Sequence, residues 1–178
     1  TQYTMTTLEE LGLLKMDFLG LRNLTVLDDA VKLVQRSDPT FTLSSISDDD
    51  PKVFQMLSEG KTSGVFQMES PGMTGVCVGL KPQNIEDITA IIALYRPGPM
   101  DSIPRFIACK HDPKLIRYKH PALIPILSVT YGCIVYQEQV IEIFRKLGGY
   151  SLGQADMVRR AISKKKKAQI EKERHSFI

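Results

Sequence analysis

Hydrophobic residues recur at helical spacing along most of the chain, and recognisable start signals separate the runs. A capping box of Ser151 and Gln154 begins one helix that runs to about Ser163, and Asp50-Pro51 begins another. The pattern predicts helices over residues 23–36, 51–60, 84–94, 102–110, 120–127, 137–147 and 151–163, with a further short helix beginning at residues 70–71.

Three short apolar runs have instead the composition of β-strands. They cover residues 13–19, residues 64–68 (GVFQM) and residues 132–136 (GCIVY). The predicted fold class is therefore mainly α with a few short β-strands.

The first of these runs belongs to LLKMDFLGL, which carries two charges in an otherwise apolar segment. Because side chains alternate between the two faces of a strand, Lys15 and Asp17 would share one face. A buried charge is costly unless it is paired or holds a metal. The two residues form either a local ion pair or part of a phosphoryl-transfer site, in which the aspartate binds Mg²⁺ and the lysine meets phosphate. Residue chemistry alone leaves both interpretations open.

A second candidate for chemistry is ADMVRRAISKKKK, in the last predicted helix and the residues after it. Helical spacing places Asp156 and Arg160 opposite the apolar stripe, with Arg159 at its border. Arginine offers paired donors to phosphate oxygens, so two adjacent arginines followed by Lys164–Lys167 suit a triphosphate or a nucleic-acid backbone. A solvated helix surface is the alternative.

The charge distribution favours a phosphate-binding surface. The 178 residues have a net charge of +3, but residues 159–178 contain 8 Lys and Arg against 2 Asp and Glu, whereas the remainder contains 15 against 18. A focused positive region in one part of a chain is typical of proteins that bind phosphate or nucleic acid.

Other residue types narrow the class of protein. The hydrophobic content of 43% is ordinary for a globular domain. No apolar run approaches the roughly 18 residues of a membrane span and no signal peptide is present, so we expect a cytoplasmic protein without membrane contact. The three cysteines are far apart, which predicts reduced thiols, and the histidine spacing predicts no structural metal. The chain begins with Thr1 and ends within a predicted helical segment, so we expect it to be part of a longer protein.

Several long motifs also occur together in one order: LGLLKMDFLGLRNL, GVFQMES, ALYRPGPM, HPALIPIL, TYGCIVYQEQV and GGYSLGQADMVRRAISKKK. In sequence and in order they resemble the alpha subunits of bacterial DNA polymerase III, the C-family replicative polymerases, over nearly the whole chain. The resemblance implies a helical fingers domain at residues 23–178, truncated at its C-terminal end. It also implies that residues 1–22 form one edge strand of a palm similar to that of polymerase beta.

The resemblance further implies the chemistry. Such polymerases extend a primer 3′-hydroxyl on template DNA with deoxynucleoside triphosphates, using three aspartates and two Mg²⁺ ions. Asp17 matches the third catalytic aspartate, a metal ligand, and Lys15 matches a triphosphate contact from the palm. Arg159 and Arg160 match the tandem arginines that hold the triphosphate from the fingers, and Lys164–Lys167 are candidate contacts to DNA or phosphate.

Part of the family's machinery has no counterpart in this sequence. The other two aspartates lie in an upstream acidic motif, and Asp48–Asp50 precede a helix-starting proline instead. Regions that bind the sliding clamp and other replicase subunits would also lie outside the chain. After GVFQMES, MTGVCVGL replaces the family's usual charged residues, so we assign no DNA contact to that helix.

We expect the isolated chain to be catalytically inactive. Two alternatives to the polymerase function are a basic nucleic-acid-binding module and a purely structural helical domain.

Overall fold

The computed structural model describes residues 2–14 and 16–177, without the side chains of residues 169 and 175. The chain divides into two compact units, an N-terminal unit of Thr1–Ser47 and a C-terminal unit of Asp48–Ile178. No helix among the described residues is long and apolar enough to span a membrane.

Helices make up the regular structure of both units. The N-terminal unit contains α1 (Met5–Glu10) and α2 (Arg22–Val34), with a 3₁₀ turn at Leu43–Ser45. The C-terminal unit contains α3 (Pro51–Ser58), α4 (Pro71–Leu80), α5 (Ile85–Leu94), α6 (Ile103–His111), α7 (Ile124–Leu127), α8 (Gln137–Gly148), α9 (Leu152–Ser163) and α10 (Lys167–Phe177). Its 3₁₀ turns are Pro99–Ser102, Pro113–Leu115, Pro121–Leu123 and Ser128–Thr130.

Side chains at the helix starts explain where several helices begin. Asp50 accepts the backbone N–H of Lys52 at 2.9 Å and so starts α3. At α9, Ser151 Oγ accepts the N–H of Gln154 at 3.3 Å, and Gln154 Oε1 accepts the N–H of Ser151 at 2.9 Å. The predicted capping box is therefore confirmed, and α10 lies in the helical segment expected at the end of the chain, whereas α1 was not anticipated from the sequence.

The core of the C-terminal unit lies between α3, α4, α5 and α6. Its buried side chains include Leu57, Met73, Cys77, Leu80, Ile91, Leu94 and Phe106. Cys133, from the segment between α7 and α8, is part of the same core. The edge of the Phe106 ring meets the Tyr131 ring, with centroids 5.2 Å apart. The residues before α8 are thereby packed against α6.

A buried ion pair crosses this core. Lys110 Nζ of α6 lies 2.7 Å from Asp87 Oδ2 of α5, and both side chains are almost fully buried. Tyr131 donates its hydroxyl to Asp87 Oδ1 at 2.8 Å, and Lys110 also donates to the carbonyl of Lys81 at 2.6 Å. Because its remaining hydrogen-bonding positions are filled, the pair meets the condition under which buried charges are tolerated. Burial and the neighbouring carboxylate raise the pKa of Tyr131.

An aromatic cluster joins α8, α9 and α10. The Phe144 ring of α8 lies 5.4 Å from that of Tyr150 and 4.9 Å from that of Phe177, measured between centroids. A Cβ atom at Gly148 would lie only 2.8 Å from the Phe177 ring, so this close approach requires glycine. Helices α8, α9 and α10 therefore form a small layer, in which α10 covers the residues that connect α8 to α9.

The N-terminal unit has a different character, because its large apolar side chains are mostly exposed. Helix α2 buries none of its residues. Residues 16–21 have no regular structure, and Phe18 and Leu19 are 92% and 93% exposed.

The predicted β-strands are wrong, since residues 2–14 and 16–177 contain no strand. Residues 64–68 fold into successive turns, with the N–H of Met68 bonded to the carbonyl of Val65 at 3.0 Å and Gln67 at a positive φ of 63°. Residues 133–136 are outside regular structure, and the N–H groups of Val135 and Tyr136 are bonded to a side chain, Gln139 Oε1. The backbone N–H groups of Val135 and Tyr136 are thus hydrogen-bonded by a side chain and not by a neighbouring strand.

The palm edge strand predicted at residues 13–19 is also wrong for the described residues. Lys15 lies outside the described residues, and the described neighbours on either side take part in no β-ladder. A strand needs a second strand to bond its backbone groups, and this part of the chain offers none. The predicted fold class is therefore corrected to all-helical for the residues that the structure describes.

Candidate phosphate-binding site

Helices α8 and α9 position the tandem arginines of the ADMVRR motif. Ala155 and Val158 of α9 are buried, at 0% and 2% exposure, and they fix the inner face of the helix. Ala161 is also buried, whereas Ile162 is 41% exposed, so the buried stripe of α9 consists of Ala155, Val158 and Ala161. Packing of this stripe leaves the opposite face of α9 to the charged residues.

Arg159 is the more restrained of the two arginines. Its Nε and Nη2 atoms donate to Asp156 Oδ1 at 2.9 and 2.7 Å. Its Nη1 atom donates to Gln137 Oε1 of α8 at 2.7 Å, and the side chain is only 21% exposed. Arg159 therefore ties α9 to the first residue of α8 while keeping a charged group at the border of the helix.

Arg160 uses a smaller part of its guanidinium group. Its Nε atom donates to Asp156 Oδ2 at 2.7 Å, and the side chain is 67% exposed. Among the described residues, no protein acceptor bonds its Nη1 or Nη2 atom. Arg160 therefore presents the paired terminal donors that suit a phosphate group.

A single carboxylate orders both arginines. The hydrogen bonds from Arg159, together with the charges of Arg159 and Arg160, hold the pKa of Asp156 below its ordinary value of 3.8. A carboxyl group whose pKa is lowered by folding stabilises the folded state above its unfolded pKa, and this contribution is lost as the pH falls through the folded value. The arrangement is thus intact at neutral pH.

The lysine run forms a turn between α9 and α10. The N–H of Lys165 bonds to the carbonyl of Ile162 at 3.0 Å, and the N–H of Lys166 bonds to that of Ala161 at 2.9 Å. These two bonds define a Schellman motif, with Lys165 at the left-handed position where glycine is usual (φ 52°). Positive side chains here also complement the negative end of the α9 dipole, which gives the lysines a structural role as well.

The residues predicted for metal chemistry lie in the other unit. Asp17 is exposed and lies in an irregular segment of the N-terminal unit, and Lys15 is outside the described residues. Within the described part of the chain, no group of three or more His, Cys, Asp or Glu side chains could enclose a metal ion. A carboxylate is a suitable Mg²⁺ ligand, and such sites often use only one or two protein carboxylates together with substrate phosphates. Asp17 fits the role of one ligand, and the described residues do not complete a site.

Sequence reasoning missed the roles of two residues and one surface. It placed Asp156 beside Arg160 without giving it a function, and it gave none to Gln137, the first residue of the helix predicted over residues 137–147. It also missed a cleft of about 280 Å³ lined by Arg105, Arg117 and Lys119. A sequence signal for this cleft exists, because the 25 residues from 113 to 137 contain three Lys and Arg and no Asp or Glu.

The fold and the site together define a helical domain that presents a paired-arginine surface next to a basic turn. A family model described as the bacterial DNA polymerase III alpha subunit finger domain matches residues 23–178, and the chain belongs to this family.

Individual relatives agree with this assignment. The chain is 52% identical to the DNA polymerase III subunit alpha of Bacillus subtilis (strain 168) and 51% identical to that of Borreliella burgdorferi, each over 100% of the chain. It is 49% identical to the Staphylococcus aureus (strain COL) subunit over the same extent. The chain spans only 16% to 17% of the length of these relatives.

Proposed function

We propose that the chain is the fingers part of a replicative DNA-directed DNA polymerase that adds deoxynucleotides to a primer 3′-hydroxyl. The observation that carries the proposal is the ordered arginine pair on α9, in which Asp156 holds both guanidinium groups and leaves the terminal nitrogens of Arg160 exposed. A pre-ordered, forked donor is suited to a triphosphate, because little side-chain entropy remains to be lost on binding.

Each residue of the proposed site has a separate task. Arg160 binds triphosphate oxygens through its terminal nitrogens. Arg159, at the border of the apolar stripe of α9, adds a second positive charge that attracts the triphosphate. Lys15 contacts the triphosphate from the palm side, a role that rests on the family resemblance.

Asp17 contributes one carboxylate ligand to Mg²⁺, which would stabilise the charge that develops during phosphoryl transfer. The irregular, exposed position of Asp17 supports a role in which ligands from other parts of the polymerase surround it. Since the described residues hold no complete metal-ligand set, we expect the isolated chain to be catalytically inactive.

Lys164–Lys167 are proposed contacts to the DNA backbone or to phosphate. Their position between the end of α9 and the first residue of α10 concentrates four positive charges shortly after Arg160 in the sequence. Contacts of this kind would add affinity without reading the base sequence. The concentrated positive charge of this lysine run also favours a second candidate function, a simple nucleic-acid-binding module.

The partners follow from the proposed activity. They are primer-template DNA and deoxynucleoside triphosphates, with the sliding clamp and other replicase subunits bound by regions outside this chain. A cytoplasmic location belongs to the same proposal, since bacterial DNA is copied there.

The test is the nucleotide dependence of primer extension by the full-length subunit. Arg160→Ala removes a charge-assisted, forked contact, so we expect the apparent KM for deoxynucleotides to rise by about tenfold or more. Arg160→Lys keeps the charge but not the fork, and should recover only part of the loss.

Arg174→Ala is the matched control. Arg174 is 67% exposed like Arg160, and it also forms an ion pair within its own helix, at 3.7 Å from Glu171. Its replacement should leave the apparent KM unchanged. If Arg160→Ala and Arg174→Ala behaved alike, Arg160 would have no role in triphosphate binding.

A further inference from the structure

The cleft lined by Arg105, Arg117 and Lys119 lies apart in sequence from the arginine pair of α9 and has its own chemistry. It is formed by the first turn of α6, by residues 117–119 and by residues 132–134. Its lining contains three cationic side chains and no carboxylate. A concave surface with charges of one sign attracts and concentrates ligands of the opposite charge.

The floor of the cleft is apolar. Leu127 and Cys133 are buried at 4% and 6% exposure, and Leu123 lies beside them. Tyr118 adds an aromatic ring to the wall. A cationic rim above an apolar and aromatic floor is suited to a ligand that carries both a phosphate and a planar ring.

Two features hold the wall in place. Gly132 has a φ of 78°, and a Cβ atom there would lie 3.0 Å from Ile116 and 3.8 Å from the Tyr118 ring, so glycine lets residues 116–118 lie against this backbone. Arg117 donates its Nη1 atom to the carbonyls of Lys114 and Ile116. The guanidinium group of Arg117 is thus oriented before any ligand arrives.

The size of the cleft restricts the ligand. A volume of about 280 Å³ lies just below the range of roughly 300–1,000 Å³ that is typical of small-molecule pockets. This is enough for one ring and its phosphate, but not for a dinucleotide.

From this geometry we infer that the cleft is a second nucleotide-binding site, which takes one nucleotide with its base against Tyr118 and its phosphate among Arg105, Arg117 and Lys119. The nucleotide is either free or an unpaired unit of single-stranded DNA, since both present the same base and phosphate. The choice of a nucleotide over other phosphorylated ring compounds rests on the proposed polymerase function.

The experiment is photocrosslinking of the full-length subunit to 4-thiothymidine, followed by mass-spectrometric mapping of the labelled peptide. One arm uses an oligothymidylate of twelve residues that contains one 4-thiothymidine, and the other uses free 4-thiothymidine monophosphate. We expect a crosslink within the peptide that contains Tyr118. Labelling by the oligonucleotide alone identifies single-stranded DNA as the source, and labelling by the free nucleotide identifies a mononucleotide site.

Charge reversals test the role of the rim. Arg105 and Lys119 are exposed, and among the described residues neither makes an ion pair, so Arg105→Glu and Lys119→Glu should fold normally. Each should lower the labelling at Tyr118 by about fivefold or more, and should reduce the slope of oligonucleotide affinity against salt by about 0.7 per lost phosphate contact.

Lys52→Glu is the matched control, because Lys52 is exposed on α3, lies outside the cleft and undergoes the same change of charge. It should leave labelling at Tyr118 unchanged. Absence of labelling at Tyr118 in both arms, or labelling that Arg105→Glu and Lys119→Glu change no more than Lys52→Glu does, would overturn the inference. The proposed polymerase function is tested separately by Arg160→Ala, so the failure of one proposal can be distinguished from the failure of the other.

Discussion

Residues 16–19 and 133–136 are both short, mainly apolar segments that lead towards a helix, but they differ in how far their side chains are packed into a core. In the first segment, Phe18 and Leu19 are more than nine-tenths exposed. In the second, Ile134 is 54% exposed, but Cys133 is only 6% exposed and belongs to the core of the C-terminal unit, with Val135 and Tyr136 packed against that core. An apolar composition is therefore not enough to bury a segment, because burial also needs neighbours that supply packing and hydrogen bonds.

Gln139 supplies two of those hydrogen bonds for the second segment. Its Oε1 atom accepts the N–H groups of Val135 and Tyr136 at 2.8 and 2.9 Å. Its Nε2 atom donates to the carbonyl of Ile126 at 3.1 Å and to the hydroxyl of Thr130 at 2.8 Å. One buried amide thus satisfies backbone groups that a neighbouring strand would otherwise have to satisfy.

The largest expected effect is a loss of nucleotide incorporation when Asp17, in the exposed segment, is changed. Asp17→Asn removes the carboxylate that we propose as a metal ligand, so nucleotide incorporation by the full-length subunit should fall at least about 1,000-fold, on the order of 4 kcal/mol in the activation barrier. Primer extension at saturating nucleotide measures the loss. DNA binding, followed by fluorescence anisotropy, should remain close to that of the unchanged subunit. Near-normal incorporation would remove Asp17 from the active site.

An intermediate effect is expected on the free energy of unfolding when Gln139, which holds residues 133–136, is changed. Gln139→Leu leaves the N–H groups of Val135 and Tyr136 without their partner, so the free energy of unfolding should fall by about 3 kcal/mol. Urea denaturation of the chain, followed by circular dichroism, measures the change.

The same substitution at an exposed glutamine provides the control for this effect. Gln55 of α3 is exposed and bonds only to Glu59, at 2.9 Å, so Gln55→Leu should change the free energy of unfolding by less than about 0.5 kcal/mol. Equal effects of Gln55→Leu and Gln139→Leu would show that the buried amide does not hold the segment.

The smallest effect is expected for the apolar side chains of the exposed segment. Replacing Phe18 and Leu19 together by serine removes almost no buried surface from this chain, so its free energy of unfolding should change by less than about 0.5 kcal/mol. The same urea titration tests this prediction. A loss of more than about 1.5 kcal/mol, the size of a buried side chain, would mean that the segment packs after all.

Much of the helical structure could be predicted because its signals are local. Asp50-Pro51 and the Ser151–Gln154 capping box act within one turn of the backbone, and both begin helices where expected. The strands could not be judged in the same way, since an apolar run of five residues has the same composition whether or not a partner strand exists. The assignment of Lys15 and Asp17 to metal and triphosphate chemistry came from motif resemblance, and it stays a prediction.

The candidate site could be predicted only in part, because some of its features depend on neighbouring residues and others on distant ones. Helical spacing placed Arg160 opposite the apolar stripe and Arg159 at its border, in agreement with their exposures of 67% and 21%, but the contact that holds Arg159 could not be found from the sequence. Arg159 is held by Gln137, which lies 22 residues earlier in the chain. The cleft around Tyr118 combines segments that are similarly distant from one another, and only its acid-free composition is visible in the sequence.

The sequence by itself determined where several helices begin, where positive charge is concentrated, and the family to which its motifs are similar. These properties depend on residues within a few positions of each other. Only the tertiary structure decided which apolar segment is buried, which arginine keeps its terminal donors available, and where a cationic cleft forms. Those outcomes depend on contacts between distant residues, such as Arg159 with Gln137 and Gln139 with Ile126, and the free energy of such contacts is set by packing and burial rather than by local pattern.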